Sequence, residues 1–165
     1  MAAVMCTSKL QKALVQAGHN WTRGNAPEAK GPGRLGNWAA TLVDEGRAMV
    51  VAVNEKTCLT LVLPLAPAKS LRKRLSAALR QALRRRNVRD GQIAVECEEL
   101  ASAQFVRLRN VRLAEALEFA AFETAAHGAK GQHDRSIQDM LNTYPHSDTG
   151  AEDANAAVRL LFAAS

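Results

Sequence analysis

Hydrophobic positions along this chain change their spacing several times, and the changes divide it into helical and extended stretches. The apolar start at 2–7 predicts an edge strand. Leu10 and Leu14 then recur at helical spacing, which predicts a helix that begins at Ser8 and ends near Gly18. Residues 2–18 therefore predict a strand followed by a short amphipathic helix.

Residues 18–36 are rich in Gly, Pro and Asn, which predicts a long loop with Trp21 as its anchor to the body. In the stretch after it, runs rich in Val, Leu and Thr are separated by two turn sequences, DEGR and NEKT. Such runs favour β-strands, and the short turns favour antiparallel pairing. We therefore expect a three-stranded meander with strands at 37–43, 48–53 and 58–64.

The clearest helical pattern covers residues 70–87. Leucines recur there every four residues, and this spacing places them on one face of a helix that packs against the body of the protein. Basic residues occupy the other faces, and we expect their charged groups to face water without acidic partners. The leucines are Leu71, Leu75, Leu79 and Leu83.

Further periodic segments follow: helices at 90–102, 111–126 and 154–162, a strand at 104–109, and one or two helical turns at 136–143. Few strands and several helices predict the α+β class. We expect a small antiparallel sheet, the meander plus edge strands, packed against helices in a two-layer sandwich. The length of 165 residues predicts one domain, 1–165.

Positive charge is concentrated in one segment. Residues 69–89 hold nine basic and no acidic side chains, whereas the rest of the chain holds 13 basic and 16 acidic ones, so the excess of +6 comes from that segment. Such a patch predicts an anionic partner, and phosphates are the commonest large anions. Phosphate contacts are expected from Arg72, Lys73, Arg74, Arg80, Arg84, Arg85, Arg86 and Arg89.

Three alternatives stay open for this segment and its neighbours. The basic helix is a solvated face, a surface that binds nucleic acid, or a surface that docks on an acidic protein. A hydrolytic site near Arg135, Ser136 and Asn142 is a further hypothesis. Helix capping by Asp134 or Ser136, with Asp139 at capping-box spacing, also explains that segment, so the leading hypothesis is a non-enzymatic binding protein.

Other motifs do not point to a cofactor or a metal. GPGRLG at 31–36 matches the letters of a dinucleotide-binding loop, but a loop precedes it and a strand follows it. His127, His133 and His146 lack zinc-site spacing, and we expect them in exposed loops. The cysteines are few and far apart, which predicts reduced thiols, and no apolar run could cross a membrane. We therefore expect a cytoplasmic protein.

Four segments resemble a poorly characterised family of small bacterial proteins that are sometimes found near mobile elements. These segments are MCTSKLQKAL at 5–14, NWAATLV at 37–43, VNEKTCLTLVLP at 53–64, and a segment similar to R-S-x-x-x-x-N, here Arg135, Ser136 and Asn142 with one additional residue before the asparagine. The resemblance implies a fold and a bacterial cytosolic setting. It implies no reaction, because the family has no assigned activity.

Overall fold

The computed structural model describes residues 2–28, 31–146 and 149–163. Within these residues the chain forms five strands and six helices, in the order that the sequence pattern predicts. They are β1 (Ala3–Cys6), α1 (Ser8–Gln16), β2 (Trp38–Glu45), β3 (Arg47–Asn54), β4 (Thr60–Pro64), α2 (Leu71–Arg84), α3 (Asp90–Ala101), β5 (Gln104–Arg107), α4 (Val111–Ala129), α5 (Asp134–Leu141) and α6 (Ala154–Ala163). None of these helices is long and apolar enough to cross a bilayer.

The strands form one sheet in the order β4-β3-β2-β1-β5. The antiparallel meander of β2, β3 and β4 is confirmed, but β1 pairs in parallel with both β2 and β5. The prediction that the first strand lies at an edge is therefore wrong. All four of its residues are buried, because a strand with neighbours on both sides and helices on both faces is apolar throughout.

Helices cover both faces of the sheet. Alternate residues of β1 point to opposite sides, so Val4 and Cys6 pack with α1, α2, α3 and α6, whereas Ala3 and Met5 pack with α4 and α5. The α+β class is confirmed. The helices, however, are divided between two apolar cores, which gives three layers where we expected two.

One edge of the sheet is closed by side chains of α5. The Gln138 Oε1 accepts the N–H of Val62 at 2.9 Å, and the Asn142 amide both accepts from Thr60 N (2.7 Å) and donates to Thr60 O (2.9 Å). The two amides are one helical turn apart, and this distance is about the same as that between alternate residues of a strand, so both amides can reach β4. Pro64 lies two residues further along β4 and faces the same edge. Because proline has no N–H, no donor is left unsatisfied there. The side chains of α5 and of its C-terminal cap thus bind backbone groups of β4 that a sixth strand would otherwise bind.

The expected cap of α5 is not formed. His133 precedes the helix without a side-chain capping bond, and Ser136 lies inside the first turn. The capping-box prediction for Asp134, Ser136 and Asp139 is therefore wrong. The helix is positioned instead by its buried Ile137 and Leu141 and by the two amides that bind β4.

The turn between β3 and β4 is organised by the fully buried side chain of Asn54. Its Oδ1 accepts the N–H groups of Lys56 and Thr57 at 3.1 Å each. Its Nδ2 donates to the carbonyls of Leu35 and Asn37, at 3.0 and 3.1 Å. One amide therefore joins the NEKT turn to the entry of β2, and it satisfies buried backbone groups that no strand reaches.

The predicted loop at 18–36 covers the other edge of the sheet. Thr22 N donates to the carbonyl of Phe105 in β5 at 3.1 Å, and the His19 ring meets the Phe105 ring edge-on, with centroids 5.1 Å apart. Trp21 is partly buried against the core, as expected. Both edge strands are thus shielded from pairing with other chains.

The end of this loop binds a buried carboxylate. Glu96 of α3 accepts the N–H of Arg34 at 2.5 Å and that of Leu35 at 3.2 Å, so the GPGRLG backbone binds an internal acid. A Cβ on Gly31 would lie 2.5 Å from the carboxylate of Glu99, so a larger residue there would require that side chain to move. Glu96 itself is buried and Glu99 is half-buried, whereas the neighbouring Glu98 is exposed.

Removing the amides that close the β4 edge should destabilise the protein. We expect Asn142→Ala to lower the free energy of unfolding by about 1–3 kcal/mol, because the buried N–H of Thr60 would lose its acceptor. Urea denaturation measures the change. Ser136→Ala, an exposed position on the same helix, is the control and should stay within about 0.5 kcal/mol of the wild type. Equal stability of the two variants would contradict the role of Asn142.

The carboxylate of Glu96 should make stability depend on pH. Burial raises its pKa above the ordinary value of 4.5, although the N–H groups of Arg34 and Leu35 oppose the shift. The folded state therefore holds the proton more tightly than the unfolded state, and this group's contribution to stability falls as pH rises from 4.5 through the raised pKa. The advantage of the wild type over Glu96→Gln, followed by urea denaturation, should shrink across that range. Glu98→Gln is the matched control, and a wild-type advantage that grows with pH would contradict the assignment.

Candidate nucleic-acid interface

Helix α2 presents its leucines inward, as predicted. Leu71, Leu75, Leu79 and Leu83 are each at most 1% exposed, and they pack in the same apolar core as β3 and β4. A short 3-10 helix at Ala68–Ser70 leads into α2, and the α-helix ends at Arg84, earlier than the expected position 87. The orientation of the helix is therefore set by a continuous buried row.

Three cations point directly away from the leucine row. Lys73, Arg80 and Arg84 follow one another at intervals of seven and four residues, which is the spacing of one helical face, and all three are exposed. They span about 16 Å along the helix. Lys69 before the helix and Arg89 after it are also exposed. We call these five residues the outer row.

Two other predicted contact residues are occupied with the body of the protein. The Arg72 guanidinium lies 4.6 Å from the centre of the Phe105 ring, a cation–π arrangement. Arg74 donates to the carbonyls of Leu65 (3.0 Å) and Pro64 (2.5 Å), where the chain leaves β4. Both lie on the flanks of α2 and are partly buried, so neither faces water freely, contrary to our expectation.

Two arginines at the end of α2 have acidic partners. Arg84 lies 3.5 Å from Asp90, with both side chains well exposed, and Arg85 lies 2.8 Å from Asp139. Exposed pairs of this kind contribute about 0–1 kcal/mol, so the looser Arg84–Asp90 pair can open readily. The expectation that all guanidinium groups lack acidic partners therefore fails for Arg84 and Arg85.

Arg86 is held more firmly. It donates to Ala82 O at 2.6 Å and to the side chain of Asn155 at 2.5 Å, and it is half-buried. Burial lowers its pKa below the ordinary value for arginine, and the negative charge of Asp139 opposes that shift. The like charges of Arg85 and Arg159 lower it further.

The eight predicted contact residues thus fall into separate sets. Lys73, Arg80 and Arg89 are exposed and form no hydrogen bond or ion pair with the residues that the structure describes. Arg84 and Arg85 are paired with acids, and Arg72, Arg74 and Arg86 hold the structure together. The helical spacing alone predicts much of this division. Positions next to the leucine row lie on the flanks of the helix, and only the opposite positions point outward.

The alternative site near Arg135, Ser136 and Asn142 is not assembled. Arg135 and Ser136 are exposed in the first turn of α5, whereas Asn142 is fully buried at the other end and hydrogen bonded to β4. Six residues of helix, about 9 Å, separate Ser136 from Asn142. These three side chains line no common cavity in which a nucleophile could be activated.

The histidines and cysteines are placed individually. His127 lies inside α4, 3.4 Å from Glu123, and not in an exposed loop as expected, because the helix extends to Ala129. His133 is exposed just before α5. Cys6, Cys58 and Cys97 are buried and form no disulfide, which agrees with the predicted thiols. Within residues 2–28, 31–146 and 149–163, no three His, Cys, Asp or Glu side chains are grouped as metal ligands.

One residue near this surface was not predicted. Arg159 of α6 is close enough to Arg86 to lower its pKa, although the two are far apart in the sequence. Nothing in the pattern of the closing helix indicates this contact, since it depends on how α6 docks beside the end of α2.

Comparison with known proteins places the chain in a family without assigning it an activity. No curated protein and no solved structure gives a significant match. A family model does match, over nearly the whole chain, and it confirms the resemblance to a poorly characterised family. The chain belongs to the family described as Domain of unknown function (DUF6933), whose model matches residues 3–154.

Proposed function

We propose that the protein is a non-enzymatic binding protein whose outer row contacts the phosphate backbone of a nucleic acid. The observation that carries this proposal is the outward line of Lys73, Arg80 and Arg84 on a helix held by buried leucines, with Lys69 and Arg89 at its two ends. A helix that cannot rotate presents its charges at constant spacing, which lowers the conformational cost of contacting a regular polyanion.

The chemistry of the row favours binding without base recognition. Lysine and arginine contacts to phosphate position a protein on nucleic acid but carry no sequence information. Only 4% of the residues are aromatic, and the outer row itself consists of lysines and arginines, so it contains no aromatic ring on which a base could stack. The expected partner is therefore double-stranded nucleic acid, bound with little sequence preference through release of counterions.

An acidic protein is the alternative partner for the same surface. It would meet the same five cations, but it would not require the regular spacing of a phosphate backbone. Capture of one acidic protein by the intact chain, after nuclease digestion of all nucleic acid, would favour this alternative. Both proposals expect the protein to act in the cytoplasm.

Salt-dependent binding tests the nucleic-acid proposal. We expect the affinity for a fluorescent duplex of random sequence to fall linearly with salt on a double logarithmic plot, with a slope of about −4 to −5 for the five contacts of the outer row. Lys73→Ala with Arg80→Ala should reduce that slope by about two units, because each lost phosphate contact removes about one. Fluorescence anisotropy measures both.

The matched control removes two exposed charges elsewhere. Lys130→Ala with Arg135→Ala has the same net charge, but these residues lie at the adjacent ends of α4 and α5. Its slope should equal that of the wild type. No duplex binding at low salt, or an equal loss in both double variants, would count against the outer row as the interface.

A further inference from the structure

A groove of about 350 Å³ lies beside the C-terminal end of α2, where α5 and α6 meet it. Three guanidinium groups line the groove, two from the residues that directly follow α2 and one from α6. The volume is at the lower end of the range of about 300–1,000 Å³ that small-molecule pockets occupy. Its charged lining residues are Arg85, Arg86, Arg159 and Asp139, and its neutral polar ones include Thr143 and Asn155.

Arg86 provides a fixed positive charge in the wall. Hydrogen bonds to Ala82 O and to Asn155 hold two of its nitrogens, so the side chain cannot swing out into solvent. Its Nε is buried and has no hydrogen-bond partner among the described residues. The guanidinium charge is therefore brought close to two other arginines without being fully compensated by the protein.

The balance of charge around the groove leaves room for an anion. Arg85 and Arg159 both repel Arg86, and the acids that oppose them are Asp139 and Asp153. Three positive charges against two negative ones leave a net charge of +1 before any ligand is bound. Arg159 is exposed on α6 and has no hydrogen-bond or ion-pair partner among the described residues.

Asp139 occupies the position that a ligand oxygen would take. Its Oδ1 lies 2.8 Å from Nη1 of Arg85, and its side chain is half exposed, so the pair can open at little cost. An oxygen of greater charge that approaches between Arg85 and Arg159 would replace this carboxylate. Guanidinium groups bind phosphate through two parallel N–H donors, a geometry that favours arginine over lysine at such sites.

We propose that this groove binds a phosphomonoester group between Arg85 and Arg159. A terminal phosphate has three free oxygens and up to two negative charges, so it can contact several guanidinium groups at once. A backbone phosphodiester has only two free oxygens and a single charge. This site goes beyond the proposed function, because the outer row requires only backbone phosphates. The group could come from the end of a nucleic-acid strand or from a free phosphorylated small molecule.

Calorimetric titration of the full-length chain with inorganic phosphate and with adenosine 5′-monophosphate tests the site, at constant ionic strength maintained with chloride. We expect Arg159→Gln to weaken binding about tenfold, as the loss of a charged hydrogen bond would. Asp139→Asn should instead tighten binding several-fold, because it frees Arg85 and removes a negative charge. A purely structural role for Asp139 does not predict tighter binding. Arg107→Gln, an exposed arginine on β5, is the matched control and should leave the affinity unchanged.

A second pair of probes distinguishes the two sources. Tighter binding of a 5′-phosphorylated DNA strand than of the same strand with a 5′-hydroxyl, lost in Arg159→Gln, would identify a strand end. Binding of the monophosphate without that difference would identify a small molecule. The site is overturned if no phosphate probe binds, or if neither Arg159→Gln nor Asp139→Asn changes the affinity.

The two proposals fail separately. Lys73→Ala with Arg80→Ala should keep the affinity for inorganic phosphate, whereas Arg159→Gln should keep the salt dependence of duplex binding. Loss of phosphate binding alone would therefore leave the outer row standing, and absence of duplex binding would leave the groove standing.

Discussion

The buried leucines of α2 fix the direction of every charged side chain on that helix. Each of the four loses nearly all contact with water, and full burial of a leucine contributes about 1.5–3 kcal/mol. The row therefore determines how the helix is rotated on the sheet. Once the rotation is set, the positions beside the leucines must lie along the surface of the protein, and only the opposite positions point straight out into solvent. The division of the basic residues into structural and accessible ones follows from this packing.

Buried side-chain amides and one carboxylate complete the sheet that α2 packs against. Asn142 and Gln138 bind backbone groups on the outer edge of β4, Asn54 binds those around the NEKT turn, and Glu96 binds those at the end of the long loop. A buried backbone group without a partner is costly, so these contacts stabilise segments that strands and helices leave unsatisfied. Two of them, Asn54 and Asn142, lie in segments that carry the resemblance to the family. Their roles here are structural.

The accessible charges fall into two arrangements that differ in rigidity. The outer row consists of long, exposed side chains on a fixed helix, which suits many weak contacts with a repeating anion. The groove brings together arginines from two helices, one of them held by hydrogen bonds, which suits a single compact anion. Because α2 contributes to both, a nucleic acid lying along the outer row would pass close to the groove at the end of the helix.

The sequence by itself determined the elements and their amphipathic faces. The leucine period predicted α2, and the turn sequences predicted the meander, because side-chain spacing and turn chemistry are local properties. It did not show that β1 lies inside the sheet, since a short apolar run is compatible with a central or an edge position. It likewise could not show that Arg72 lies over Phe105, that Asn142 binds β4, or that Arg159 lines the same groove as Arg85 and Arg86. Only the tertiary structure decided these contacts, because each joins residues that are far apart in the chain and depends on how whole elements dock.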